Sequence, residues 1–266
     1  MNEELLNTLI LTRLSYYHLN EMVQLYREMG SATAIIEQRK DLRKFYPNMP
    51  SYIYEALNAI DDVRSRCEEE LAYDREHNVE ILTLNSPNYP QRLAECPDAP
   101  LALFYKGTAD LNQPYIINIV GTRQCTVYGQ DLIRKFVADL HELCPAVLIV
   151  SGLAYGVDVH AHRNALNCGL ETIGVLAHGL DILYPSAHRN IANEMVLHGG
   201  LLTEYMTRSK PDRMNFVRRN RITAGICDAC ILVESAYKGG GLITTRISKE
   251  YNRDVFAFPG PVGAPL

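Results

Sequence analysis

The run Phe216-Val217-Arg218-Arg219-Asn220-Arg221 places three guanidinium groups directly behind an aromatic ring. Arginine presents a planar, two-pronged donor to phosphate, and a ring offers a face on which an unpaired base can stack. Arg208, Lys210 and Arg213 lengthen the cationic stretch with only Asp212 against them, although the whole 266-residue chain has a formal charge of -5. Crowded like charges cost stability unless an anion normally sits among them. The cluster therefore implies a local seat for phosphates on a protein too acidic to hold nucleic acid over its general surface.

Further candidates come as short turns: Gly121-Thr122-Arg123, then Ser151-Gly152-Leu153-Ala154-Tyr155-Gly156-Val157-Asp158, then His178-Gly179-Leu180-Asp181, and finally Gly239-Gly240-Gly241 beyond Glu234. Glycine lets the main chain turn sharply and bring its N–H groups to an anion, and a helix N-terminus adds roughly half a positive charge. Taken singly, each is equally a tight turn with no ligand; a row of them suits a polyanion. Nucleotide fingerprints are missing, since Thr244 stands where a third glycine after Gly239-x-Gly241 would fall, and no glycine-rich loop ends in Gly-Lys-Ser or Gly-Lys-Thr. Glu204, Glu234 and Asp181 have the chemistry of general acids or bases, and equally that of groups that orient arginines or cap helices. His160 and His162 point about 200° apart on a helix and so do not share a metal ion. Cys227 and Cys230 have C-x-x-C spacing without a second pair, and Cys230 runs into the apolar Ile231-Leu232-Val233, which favours packing over zinc or redox chemistry.

These turns need a frame. With 47% hydrophobic residues the chain can bury a full core. Residues 1–77 read as a small helical domain, with apolar residues at helical spacing through Leu5, Leu9, Ile10 and Leu14 and again through Met22, Val23, Leu25 and Tyr26. Gly30-Ser31 and Pro47-Asn48-Met49-Pro50 punctuate it. Residues 78–266 change pattern: β-branched runs at 116–120, 146–150, 172–177, 201–205, 229–235 and 255–258 alternate with glycine turns and helices that begin near Val127, Asp158, Arg189, Asn215 and Ile243. That alternation predicts an α/β fold, a parallel-rich sheet whose strands are covered by helices on both sides. Right-handed crossovers place the strand-to-helix turns along one edge, where such sheets bind ligands. The proline-rimmed segment 88–100 reads as a lead-in packed on the sheet. Seven scattered cysteines argue for reduced thiols, and no basic leader or apolar run long enough to span a bilayer is present, so a cytoplasmic location with no membrane contact is expected.

In this order the turns resemble those of the DNA-processing protein A family (DprA, also called Smf). The residues that carry the likeness are Gly121-Thr122-Arg123, Ser151-Gly152-Leu153-Ala154 with Gly156-Val157-Asp158, the segment ending Leu183-Tyr184-Pro185, Glu204, Phe216, Arg219-Asn220-Arg221-Ile222, Glu234, Gly241-Leu242-Ile243-Thr244 and Phe258-Pro259-Gly260. The resemblance implies a SAM-like helical domain before a Rossmann-like one. It also implies a non-enzymatic homodimer without cofactor or metal that binds single-stranded DNA, protects incoming strands and helps load the RecA recombinase in natural transformation. Carried over residue by residue, Arg123 clamps a phosphate beside Gly121 and Thr122, Ser151 and Gly152 add anion contacts, Phe216 meets a base, and Arg218, Arg219, Asn220 and Arg221 line the groove. Tyr155 stands where many relatives have lysine, exchanging a phosphate contact for stacking, and Gly239, Gly240 and Gly241 replace a more usual Ser-Gly-Ser. The family pattern continues past Pro259-Gly260 into more of the sheet edge and a winged helix, so a truncated form is expected. Two other readings stay open: a nucleotide phosphoribohydrolase related to lysine-decarboxylase-like proteins, using Glu234 and the triple glycine, and a protein adaptor whose arginines meet acidic partner residues.

Overall fold

A computed structural model of the chain describes residues 2–15, 18–58 and 60–260. The chain divides into two compact units, one formed by Met1–Tyr89 with Ala94–Leu103 and the other by Pro90–Leu93 with Phe104–Leu266.

The first unit is helical: α1 (Glu3–Leu14), α2 (Leu19–Met29), α3 (Ala32–Glu37), α4 (Leu42–Phe45), α5 (Ser51–Asn58) and α6 (Ile60–Glu76), followed by the short strand β1 (Glu80–Thr83). Leu6, Leu9, Ile10, Met22, Val23, Ile35 and Ile53 form its buried interior. Gly30 ends α2 in the left-handed conformation, and Ser31 caps α3 by accepting from the Ala34 N–H. Helix α6 is rich in acidic residues, and they are only partly solvated. Glu70 and Asp74 are buried, and Glu70 pairs with Arg66 at 2.7 Å.

The second unit is a mixed sheet flanked by helices. After the short α7 (Gln91–Ala94) come β2 (Ala102–Gly107), β3 (Ile116–Val120), α8 (Val127–Leu143), β4 (Leu148–Ser151), α9 (Val157–Asn167), β5 (Thr172–Val175), α10 (Arg189–Leu197), β6 (Gly199–Thr203), α11 (Arg213–Gly225), β7 (Ala229–Leu232), α12 (Gly240–Glu250) and β8 (Asp254–Ala257). Within this unit the strand order is β2-β6-β5-β4-β3-β7-β8. From β6 to β8 all neighbours are parallel, and β2 joins β6 antiparallel. Strands β4, β5 and β6 are buried throughout, as parallel strands with helices on both faces must be. One expectation is corrected at the edge: β8 is not covered on both sides, and Phe256 is largely exposed, because among the described residues β8 is the last strand of the sheet, with β7 as its one neighbour. The lead-in packs on the sheet through Arg92, which reaches Asp228 at 2.5 Å and the Gln113 and Pro114 carbonyls.

The order has one reversal that matters for ligands. Successive strands step from β3 through β4 and β5 to β6, and then β7 returns to the other side of β3. The turns after β3, β4 and β7 therefore diverge around a common opening at the carboxyl ends of the strands, the position at which open α/β sheets hold ligands.

Candidate functional site

A cavity of about 540 Å³ occupies that switch point. Its walls carry Gly121, Thr122 and Arg123 after β3, Gly152, Ala154, Tyr155 and Asp158 after β4, Tyr184 from the turn after β5, and Gly239, Gly240, Gly241, Ile243 and Thr244 after β7. Helix α11 supplies Asp212, Arg213, Phe216, Val217, Asn220 and Thr223, with Arg219 at the border. Most of the residues expected to contact a strand are thus brought together. Ser151, Arg218 and Arg221 are not among the lining residues; the phase of α11 accounts for the two arginines.

On α11 the positions Asn215, Arg219 and Ile222 form the buried face, while Phe216, Asn220 and Thr223, spaced at i, i+4 and i+7, face the cavity. Arg221 falls on a third side. There it pairs with Glu204, both groups largely buried, so the expectation that Arg221 lines the groove is corrected, and of the two roles open to Glu204 it takes that of orienting an arginine. Ser151 lies beneath the floor, its hydroxyl donating to the Ile119 carbonyl at 2.6 Å instead of reaching the opening.

Arg219 is only 6% exposed. One guanidinium nitrogen donates to the Val175 carbonyl at 2.8 Å, while Nε has no partner. The guanidinium rests on Gly152, where a Cβ would come within 1.7 Å of Nη1, so a larger residue there would displace the guanidinium from its seat. Burial lowers the Arg219 pKa and the neighbouring Asp158 carboxylate raises it again. Burial likewise pushes Asp158 above the ordinary carboxylate range, against the opposing pull of Arg219.

The loop that bears Arg123 is held from both sides. Thr122 N–H donates to the Glu234 carbonyl at 2.7 Å, and the Thr122 carbonyl accepts from Val157 N–H at 3.1 Å. Gly156, at φ +75°, lies against Thr122 and Arg123 so closely that a Cβ would sit 2.3 Å from the Thr122 carbonyl oxygen. Arg123 itself is exposed and forms no ion pair among the described residues. Its guanidinium lies 5.2 Å over the Phe216 ring.

Four of the helices that begin at this edge differ in terminal chemistry. Thr126 caps α8 and is itself held by Glu234, whose carboxylate accepts from the Thr126 N–H at 2.9 Å and hydroxyl at 2.5 Å. Asp158 occupies the first turn of α9 and accepts from Ala154 N–H at 3.3 Å. Asp212 caps α11. Helix α12 has neither a side-chain cap nor an acidic residue in its first turn, and it opens with the glycines on the cavity wall. Its N-terminal charge is open to a ligand anion.

The remaining chemical candidates are structural. Asp181 accepts from the Arg208 N–H at 2.9 Å. His162 is fully buried, bonded through Nδ1 to the Thr172 hydroxyl at 2.7 Å, and burial pulls its pKa to about 3; His160 is half-buried on another side of the helix. Among the described residues no group of three or more His, Cys, Asp or Glu is placed to hold a metal ion. Cys227 and Cys230 are core residues, their thiols pushed up by burial. Tyr184, Arg213 and Thr223 also line the cavity; the sequence placed Arg213 in the cationic stretch but gave Tyr184 and Thr223 no role. An aromatic residue in the turn after a parallel strand was the available signal for Tyr184.

Comparison with known proteins gives a consistent picture. The family model of DNA recombination-mediator protein A matches residues 80–266. Protein Smf of Synechocystis is 41% identical over 189 residues, covering 70% of this chain and 47% of its own length. The chain spans about half the length of the curated relatives it matches. The X-ray structure of DNA processing protein A from Streptococcus pneumoniae superposes with a TM-score of 0.80 at 31% identity, covering 98% of this chain and 89% of that one. DNA processing protein A from Helicobacter pylori, solved to describe its single-stranded DNA binding mode, superposes with a TM-score of 0.63 at 28% identity, over 70% of this chain and 82% of that one. Among the described residues no helix is long and apolar enough to cross a membrane.

Proposed function

Since the chain belongs to the DNA recombination-mediator protein A family, we propose that it binds single-stranded DNA in the switch-point cavity, without catalysis, and acts as a homodimer that shields incoming strands and helps load a RecA recombinase during transformation. The observation that carries this reading is the composition of one opening: an ion-pair-free Arg123, an uncapped glycine N-terminus on α12, and the rings of Phe216, Tyr184 and Tyr155 around it. Phosphates find N–H groups and a guanidinium; bases find rings. A duplex presents its phosphates but keeps its bases stacked, so this combination selects unpaired strands.

The hydrolase alternative loses its main support. Glu234, the carboxylate on which base release would depend, is engaged by both donors of Thr126 and helps start α8.

Fluorescence anisotropy with labelled oligo-dT and a duplex of equal length, repeated across a salt series, tests the proposal. Tight binding to oligo-dT that weakens steeply with salt, and weaker binding to the duplex, is expected. Arg123→Ala should weaken binding and reduce the salt slope by about 1. Equal affinity for the two forms, or none at low salt, would refute it.

A further inference from the structure

The walls of the cavity are chemically unequal. Arg123 follows β3 and the glycines of α12 follow β7, whereas Tyr155 follows β4 and Tyr184 follows β5. With strands ordered β5-β4-β3-β7, the two tyrosines stand over one half of the floor and the cation with the open helix N-terminus over the other. Phe216 lies between them. Its ring meets Tyr184 edge to face at 5.8 Å, and Arg123 covers its face at 5.2 Å.

From this division, and resting on the single-strand reading above, we infer that Tyr184 is a base-stacking residue of the site, with Tyr155 beside it, and that Phe216 is a positioning residue that holds Arg123 for phosphate. One face of Phe216 is already used by the guanidinium, 5.2 Å from the ring centroid, and a guanidinium held over a ring by cation–π attraction still has N–H donors for an anion. Tyr184 and Tyr155 are 44% and 48% exposed, more open than Phe216. Tyr184 is held at its main chain and by the edge of Phe216, and Tyr155 through its ring. The Tyr184 N–H donates to Nε2 of the buried His178 at 3.2 Å, and His178 Nδ1 in turn meets the Gly179 carbonyl at 2.9 Å. Tyr155 packs edge to face on the buried His188 at 4.9 Å. A ring fixed before binding gives up little conformational freedom when a base lands on it. The strand then crosses the opening with its backbone on the β3–β7 side and its bases turned toward β4 and β5.

The test compares labelled oligo-dT with an abasic deoxyribose-phosphate strand of equal length, using the full chain and three variants. The parent protein should prefer oligo-dT by roughly fivefold to a hundredfold. Tyr184→Ala should erase most of that preference and leave the salt slope intact, and Tyr184→Phe should keep both. Phe216→Ala should keep the preference but lower the salt slope toward that of Arg123→Ala. Because the preference is a ratio within each variant, loss of folded protein cancels from it. A Tyr184→Ala variant that keeps the parent preference overturns the inference, as does a Phe216→Ala variant that loses it at unchanged slope. Equal binding of the two strands by the parent also overturns it while leaving the single-strand reading in place; binding of neither strand removes both.

Discussion

Arg219 and Arg221 are two positions apart and have separate fates, because a rotation of about 200° carries one toward β5 and the other toward the end of β6. Arg219 is enclosed against Gly152 and the Val175 carbonyl; Arg221 is paired with Glu204 in a largely buried contact. Removing one partner of such a pair leaves an uncompensated charge and costs about 3–5 kcal/mol, whereas replacing both with apolar residues of similar volume is often close to neutral. Arg221→Ala is therefore expected to lower stability by that order, and Arg221→Met with Glu204→Leu to recover most of it, both read by urea unfolding. Neither should alter the oligo-dT affinity of the folded fraction, and a large loss of affinity in the double variant would return Arg221 to the groove. The cationic character of 216–221 is legible in the sequence, since residue type alone reveals it. Its partition among cavity, floor and ion pair is not, because that depends on the phase of α11 against strands distant along the chain. The same reason separates Tyr184, quoted in a motif without a role, from the ring it touches 32 positions later.

At the level of elements, the apolar runs and glycine turns identify β3 to β8 and the helices after them, for a physical reason: strands buried on both faces leave no room for polar alternation. The antiparallel β2 escapes because it precedes the repeating pattern, and β8 differs in exposure because edge position is a property of the sheet and not of the strand. Helix starts are set by local chemistry that can be removed one group at a time. Asp212 accepts from the Asn215 N–H at 2.9 Å at the head of α11, and Asp212→Ala should cost about 1 kcal/mol in thermal or urea unfolding. Since Arg213, Phe216 and Val217 lie in or just beyond that first turn, the same change should also weaken oligo-dT binding. Glu234→Gln keeps the shape but removes the charge that receives both Thr126 donors, and charge-assisted bonds of this kind contribute about 1.5–3 kcal/mol. It should lower stability within that range. If incubation with nucleoside monophosphates releases free base, and Glu234→Gln abolishes the release, the carboxylate is catalytic and the binding-only reading is wrong.

For the whole molecule, two buried titratable groups, one in each unit, bend the pH dependence of stability in opposite senses. Asp74 in the helical unit is 3% exposed, and burial, reinforced by Glu70 and opposed by Arg66, pushes its pKa from 3.8 to about 8. Between those values the folded unit holds a proton that the unfolded chain has released, so its stability falls as pH rises through that window and levels off above about 8. His162 in the sheet unit works the other way. Its folded pKa is about 3 against 6.5, so between those values the unfolded chain takes up a proton that the folded unit refuses, and stability is lost as pH falls. Lowering pH from 6.5 toward 4 should consequently strengthen the helical unit and weaken the sheet unit. Pulse-labelling hydrogen exchange along a urea series reads each unit through its own peptides. The two midpoints should move in opposite directions over that range, Asp74→Asn should flatten the helical response, and His162→Gln should flatten that of the sheet unit. Parallel movement of both midpoints in the parent, or an unchanged helical slope in Asp74→Asn, would show that these buried groups do not govern the response.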